Sequence, residues 1–228
     1  MDDRTEGFRG AREQAVDRLI TAGYLSSHAV IRAMRTVPRE AFLPASLRTS
    51  AYVDTPLPIG HQQTISALHM VAMMAEALNL EKGQEVLEIG CGSGYHAAVV
   101  AEVVAQRTGK RRGHVYSIEF VPELARSARD KLQRAGYEEW VTVIQGDGSV
   151  GYAEHAPYDR ILVTAAAPSI PRPLIEQLKD GGVLVIPVGD RYYFQELVRV
   201  KKAGGQLVRE SLGGVAFVPL RGEHGWAI

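Results

Sequence analysis

The run Val86-Leu87-Glu88-Ile89-Gly90-Cys91-Gly92-Ser93-Gly94-Tyr95 constrains this chain more than any other. A mainly apolar stretch ends on a loop with glycine at 90, 92 and 94, and an Ala/Val-rich segment begins near Tyr95. A buried parallel strand turning tightly into a helix has this form. Glycine lets the backbone turn sharply and approach a ligand with no Cβ in the way. The helix that follows starts with N–H groups that have no partner within it. The run therefore predicts the floor of a nucleotide-type pocket. Its spacing, G-x-G-x-G, differs from the G-x-G-x-x-G of a dinucleotide site, and a glycine pattern alone also fits a connection that binds nothing.

Two later runs give the pocket a direction. His114-Val115-Tyr116-Ser117-Ile118 predicts a second strand ending on Glu119, where an acid can take the two hydroxyls of a ribose. Val141-Thr142-Val143-Ile144-Gln145 predicts a third, running into Gly146-Asp147-Gly148, where the aspartate could accept from an adenine amino group. Glycine loop, acid and Asp-Gly, each at a strand end, resemble a class I S-adenosylmethionine-dependent methyltransferase.

Further strands are expected at 158–164 and 183–188, with helices over about 94–107, from Pro122, and over 171–179 up to Asp180-Gly181-Gly182. Such alternation demands a doubly wound α/β fold, a mostly parallel sheet with helices on both faces. Before it, residues 8–36 predict two short helices, the second capped at Ser26-Ser27. Residues 49–66 read as a long extended segment, and such segments in compact domains are usually functional. Ser66 is expected to cap a helix ending near Asn79-Leu80. Phe194–Lys201 and Gln206–Leu212 alternate about Ala203-Gly204-Gly205 as an antiparallel hairpin, and Val215–Leu220 follows as a last strand or rim segment. The chain reads as one domain: helices and active-site segment over about 1–80, a cofactor-binding core over 81–190, and a substrate-side tail over 191–228.

Composition removes several classes. Lys+Arg and Asp+Glu number 26 each, so no net field draws the chain to nucleic acid or anionic membrane. The basic loop Thr108–Gly113 reads as a solvated turn. One cysteine excludes an internal disulfide and a cysteine zinc cluster, and suits a reducing compartment. The polar, acidic start has no signal-peptide core, and no apolar run approaches membrane-spanning length. A soluble cytoplasmic protein is expected. No metal-spaced His/Asp cluster and no nucleophile triad stands out. Cys91 reads as a small buried residue; His61, His96 and His155 as surface or packing residues; Met70, Met73 and Met74 as core; Tyr192-Tyr193-Phe194 as rim packing; and Trp226 as a packed tail end.

From about residue 12 to 226 the chain resembles the protein-L-isoaspartate (D-aspartate) O-methyltransferases. The phrases that carry this include Val37-Pro38-Arg39, Ala51-Tyr52 with Asp54, Pro58-Ile59-Gly60, Thr64-Ile65-Ser66, Gly92-Ser93-Gly94-Tyr95, Thr164-Ala165-Ala166 and Phe217-Val218-Pro219-Leu220. The resemblance implies a Rossmann-like methyltransferase sheet that binds S-adenosyl-L-methionine and releases S-adenosyl-L-homocysteine. It implies catalytic roles for Ser66 and Thr64. Cofactor contacts would come from Ile65, His69, Glu88, Gly90, Gly92, Ser93, Gly94, Glu119, Asp147 and Gly148. Ile59, Val218 and Leu220 would hold the substrate, and no metal is implied. Leu68 stands where the family often has proline, and Cys91 where threonine is common.

The implied reaction is methylation of the free α-carboxylate of L-isoaspartyl residues in damaged proteins and peptides, which starts their repair through succinimide. A carboxylate with a reference pKa near ~4 is already ionised at neutral pH, so no general base is needed. The expected partners are isoaspartyl-containing proteins and peptides, met by a monomer with no nucleic-acid or membrane partner. Three alternatives stay open from sequence: an O-methyltransferase for an ordinary aspartate of one peptide, a non-catalytic S-adenosylmethionine-binding protein, and, most distantly, a nicotinamide dehydrogenase.

Overall fold

Burial decides the architecture. Val86, Leu87 and Ile89 are buried on both sides of their strand, as a central parallel strand requires. The computed structural model describes residues 3–106, 112–191 and 194–226. The chain opens with α1 (Asp3–Thr21) and α2 (His28–Thr36), two short 3₁₀ turns, the strands β1 (Leu57–Gly60) and β2 (Gln63–Ile65), and α3 (Leu68–Ala77). Then come β3 (Glu85–Ile89), α4 (Tyr95–Val104), β4 (His114–Glu119), α5 (Pro122–Arg134), β5 (Val141–Gln145), β6 (Tyr158–Val163), α6 (Arg172–Gln177), β7 (Leu178–Gly189), β8 (Gln195–Ala203) and β9 (Gln206–Val215).

The seven main strands lie in the order β5-β4-β3-β6-β7-β8-β9, with the first five parallel and the last two antiparallel. This is the doubly wound sheet expected, with its antiparallel hairpin at one edge. Helix α4 has almost no polar side: Ala97, Ala98, Val99, Val100 and Ala101 are all fully buried, because the helix lies between the sheet and α2. Helix α5 is amphipathic instead, burying Leu124, Ala125, Ala128 and Leu132, and Pro122 stands in its first turn. Ser27 caps α2 by accepting from the Val30 N–H at 3.2 Å.

Three expectations need correction. Residues 57–65 are not an irregular extension but the hairpin β1–β2, turned through His61 and Gln62 at φ of 53° and 59°. Two positive φ angles in a two-residue turn ordinarily call for Asn-Gly, so the turn carries no composition signal. Ser66 does not cap α3; the N-cap is Ala67, with no side-chain bond. Leu68 is the first residue of that helix, a position proline tolerates, and its side chain is buried. Finally, α6 stops at Gln177 and β7 begins at once, running through Asp180-Gly181-Gly182 where a break was expected. Leu178 pairs with Tyr158 before the register shifts.

His155 stacks on Tyr116 with ring centroids 4.2 Å apart, and His96 is buried, so both are packing residues. Val215–Leu220 runs along the rim, joined to the sheet by a bridge between Ala166 and Pro219. The expectations for Thr108–Arg111 and Tyr192-Tyr193 lie outside the described residues. Among the described residues no helix is long and apolar enough to cross a membrane, and no group of three His, Cys, Asp or Glu is placed to hold a metal.

Candidate active site

Strand β3 carries the chain to the point where the connections diverge, one half of the sheet building outward through β4 and the other through β6. Open α/β sheets place their ligand crevice at this switch, beyond the carboxyl ends of the strands. Gly90, at φ 93°, leaves β3 here and donates its N–H to the Ile118 carbonyl at 2.8 Å. From the end of β6, the Thr164 hydroxyl donates to the Gly90 carbonyl at 2.6 Å, and its N–H donates to the Ile89 carbonyl at 2.9 Å. A Cβ at Gly90 would stand 2.4 Å from the Thr164 hydroxyl oxygen.

Glu119 ends β4 as a buried carboxylate whose two oxygens accept from the Gly92 N–H at 2.8 Å and the Val121 N–H at 2.9 Å. Charge-assisted bonds to two backbone donors fix its plane and leave lone pairs for a further donor. Gly148 closes the third side. A Cβ there would lie 2.5 Å from Ile89 Cγ2, so only glycine lets the turn after β5 come this near to β3.

These groups line a narrow crevice of about 70 Å³ with Ile89, Ile118, Phe120, Val121, Thr164, Ala165 and the rim residues Val218 to Arg221. Beside it opens a wide hollow of about 780 Å³, lined by Thr64, Ser66, His69, Met70, Phe194, Gln195 and Gly214 to Val218 among others. Thr64, Thr164 and Val218 belong to both walls. His69 is fixed from behind: Asp54 accepts its backbone N–H at 2.9 Å, and both carboxylate oxygens lie 3.0 Å from its Nδ1.

The structure thus brings together Ser66, Thr64, His69, Gly90, Gly92, Glu119, Gly148, Val218 and Leu220 in the walls of two joined hollows. Other expected residues point elsewhere. Ile65 and Ile59 face the core, Ile59 with its Cδ1 3.4 Å from where a Gly92 Cβ would be. Both lie on a hairpin whose alternation sends them inward. Ser93 is buried and its hydroxyl accepts the Tyr95 N–H at 3.2 Å, while Gly94 makes the left-handed entry to α4 and lines neither hollow. Asp147 turns away from the crevice: Oδ1 accepts the Ser149 N–H at 2.8 Å and the Ser149 hydroxyl, and Oδ2 accepts the Glu223 N–H at 2.7 Å. The backbone of Leu220 is also engaged, its N–H with the Ala166 carbonyl and its carbonyl with the Trp226 N–H, both at 2.8 Å.

Glu88 is the clearest departure. It is fully buried beneath the glycine loop, lines neither hollow, and accepts a bond from the Ser117 hydroxyl. Burial pushes its carboxyl up to about 8, with the nearby Glu119 charge adding to the rise and Ser117 opposing it. Burial likewise pushes the Cys91 thiol well up, which removes it as a nucleophile. Sequence reading gave no site role to Thr164, which lines both hollows, or to Asp54 and Arg39, which hold His69 and the Ser66 carbonyl from behind. Thr164 follows a strand and Arg39 sits in Val-Pro-Arg, but what each touches is set by residues 74 and 27 positions away in the chain.

Known proteins resemble this chain over nearly its full length. Residues 10–225 match the sequence model of the family described as protein-L-isoaspartate(D-aspartate) O-methyltransferase. The protein-L-isoaspartate O-methyltransferase of Hyperthermus butylicus is 60% identical over 223 residues, 97% of this chain and 92% of that relative. The Methanopyrus kandleri protein of the same name is 55% identical, over 99% and 96%. Among solved structures, a protein-L-isoaspartate O-methyltransferase aligns with a TM-score of 0.82 at 32% identity, covering 94% of this chain and 67% of that one. The Plasmodium falciparum structure, in complex with S-adenosyl-L-homocysteine, aligns with a TM-score of 0.80 at 26% identity, covering 92% and 98%.

Proposed function

Because the chain belongs to the protein-L-isoaspartate(D-aspartate) O-methyltransferase family, we propose that it methylates the free α-carboxylate of L-isoaspartyl residues in damaged proteins and peptides, using S-adenosyl-L-methionine. The observation that carries the reading is the shared wall: a group held in the narrow crevice meets the wide hollow at Thr64, Thr164 and Val218.

The crevice suits a nucleoside. Ile89, Ile118, Phe120, Val121 and Ala165 offer apolar faces for a flat base, and Glu119 is the one carboxylate among them, aimed where vicinal hydroxyls can donate. Gly90, Gly92 and Gly148 would let the backbone close in, and His69 would contact the amino-acid end from the wide side. The crevice itself has about 70 Å³ and runs into the wide hollow at Thr64, Thr164 and Val218, so a bound group can extend from one into the other. When bound, S-adenosyl-L-methionine supplies a methyl group on a positively charged sulfur.

The chain's own residues then have a short task. The acceptor carboxylate needs no deprotonation, so a donor suffices where a base would otherwise be required. Ser66 is half-buried in the wall of the wide hollow and would donate its hydroxyl to that carboxylate, fixing a lone pair toward the crevice. Thr64 would bound the line of approach. Orientation of two pre-formed charges is where proximity contributes most. The single buried cysteine suits a reducing compartment; we take the enzyme to be a cytoplasmic, one-domain monomer that needs no nucleic acid.

The test is label transfer from S-adenosyl-L-methionine to two peptides differing only in isoaspartyl or aspartyl linkage. Base-labile label on the isoaspartyl peptide alone is the expected result; equal label on both, or none with the cofactor still bound, would sink the reading. Ser66→Ala should lower kcat by roughly 10- to 100-fold while S-adenosyl-L-homocysteine binding stays within about threefold. Full turnover by that variant would remove Ser66 from its role.

A further inference from the structure

Among the described residues, Arg39 is the largest side chain buried completely. Its Nε donates to the Ala51 carbonyl at 2.9 Å and its Nη2 to the Ser66 carbonyl at 2.8 Å. Its guanidinium carbon stands 5.0 Å from the centre of the Tyr95 ring. Ala51 and Ser66 bound the segment that holds Asp54 and the β1–β2 hairpin, and Tyr95 is the first residue of α4, directly after the glycine loop. One cation therefore touches both ends of the acceptor-side segment and the root of the cofactor-side loop.

Stability alone does not account for it. Desolvating a guanidinium costs several kcal/mol, and among the described residues no carboxylate lies in ion-pair range of Arg39 to offset that. Burial lowers its pKa, and the fields of Tyr95, Tyr52 and Asp54 only partly oppose this. An apolar side chain of similar size would fill the space at less cost. What it could not do is grip two carbonyls with a rigid fork while resting on an aromatic face. Ala51 has no polar side-chain group to hold, and the Ser66 hydroxyl has to stay free for the hollow, so the two backbone carbonyls are the polar groups left to grip.

We infer that Arg39 is a positioning residue that sets Ser66 in the wall of the wide hollow, by tying the ends of the acceptor-side segment to the root of the glycine loop. The inference rests on the role given to Ser66 above. A Ser66 displaced by about 1 Å would lose most of its contribution, since misplacements of that size can cost roughly 100-fold in rate.

The test is R39K, which keeps the charge but gives up the fork, made in the parent and in S66A. In the parent, kcat for the isoaspartyl peptide should fall about 10-fold or more, with the S-adenosyl-L-homocysteine Kd within about threefold. In S66A the same change should cost less than about twofold, because the group being positioned is gone. An equal loss in both backgrounds would mean a general structural defect and overturn the inference. Amide exchange over residues 64–68 gives a readout that does not depend on turnover: R39K should speed it about 10-fold or more, and unchanged exchange would overturn the inference even if Ser66 itself proved dispensable. If R39K fails to fold, Tyr95→Leu removes the aromatic face instead and should show the same Ser66-dependent loss at roughly two- to fivefold; a loss independent of Ser66 would overturn it.

Discussion

Gly90→Ala is expected to weaken S-adenosyl-L-homocysteine binding by at least about 100-fold and to lower the unfolding free energy by about 2–4 kcal/mol. Two costs add. The residue sits at φ 93°, where an L side chain is strained by roughly 1–2 kcal/mol. The new methyl would also fall 2.4 Å from the Thr164 hydroxyl oxygen, which is held by the carbonyls of Ile89 and Gly90. Either Thr164 gives up those bonds, or the loop moves off the end of β3 and takes with it the Gly92 N–H that fixes Glu119. Calorimetric titration and urea unfolding measure both effects. Adding Thr164→Ala should restore part of the stability, since the next atom, the Thr164 Cβ, is 3.7 Å away. Binding within threefold of the parent would show that the loop does not depend on this contact.

Glu88→Gln should change the shape of the stability–pH curve. In the unfolded chain this carboxyl ionises near ~4.3, while in the fold burial holds it protonated up to about 8. Between those limits the folded protein carries a proton that the unfolded chain has released. Raising the pH therefore favours unfolding through the window, and the loss levels off above it. At about 1.4 kcal/mol per unit the native glutamate costs of the order of 3 kcal/mol at pH 7. His96 pulls the other way: burial first, then the Arg39 charge, pushes its imidazole down to about 3, so its contribution to stability falls as pH drops below about 6.5 and levels off near 3. With Glu88→Gln the fall between about pH 4.3 and 8 should flatten and the acid one remain. Parallel curves for the two proteins in urea unfolding from pH 5 to 8 would show that Glu88 ionises inside the fold.

The sheet was legible because each core strand is a short apolar run bounded by glycine or a charged residue, and that pattern depends on neighbours in sequence. Glu119 and the glycine loop were legible for the same reason: each marks a strand end. Residues 57–65 were not, since His61-Gln62 makes with strained dihedrals a turn that Asn-Gly would advertise. The burial of Glu88 was not legible, because its place in the motif says nothing about which face of β3 it occupies or that Ser117, opposite it on β4, donates to it. The partners of Asp147 were not legible either, since Ser149 is joined by Glu223, 76 positions away. Local pattern locates the ends of strands, and what a side chain does there depends on which distant backbone arrives first.

One such arrival ties down a wall of the site. The rim Val218–Arg221 forms a wall of the narrow crevice, and the residues after it are buckled down at three points. Asp147 takes the Glu223 N–H, the Ser149 hydroxyl takes the His224 N–H, and the Trp226 indole donates to the Ala166 carbonyl. The wall of the crevice is thereby latched to the turn after β5 and to the end of β6, so a chain ending before Glu223 would lose all three ties at once.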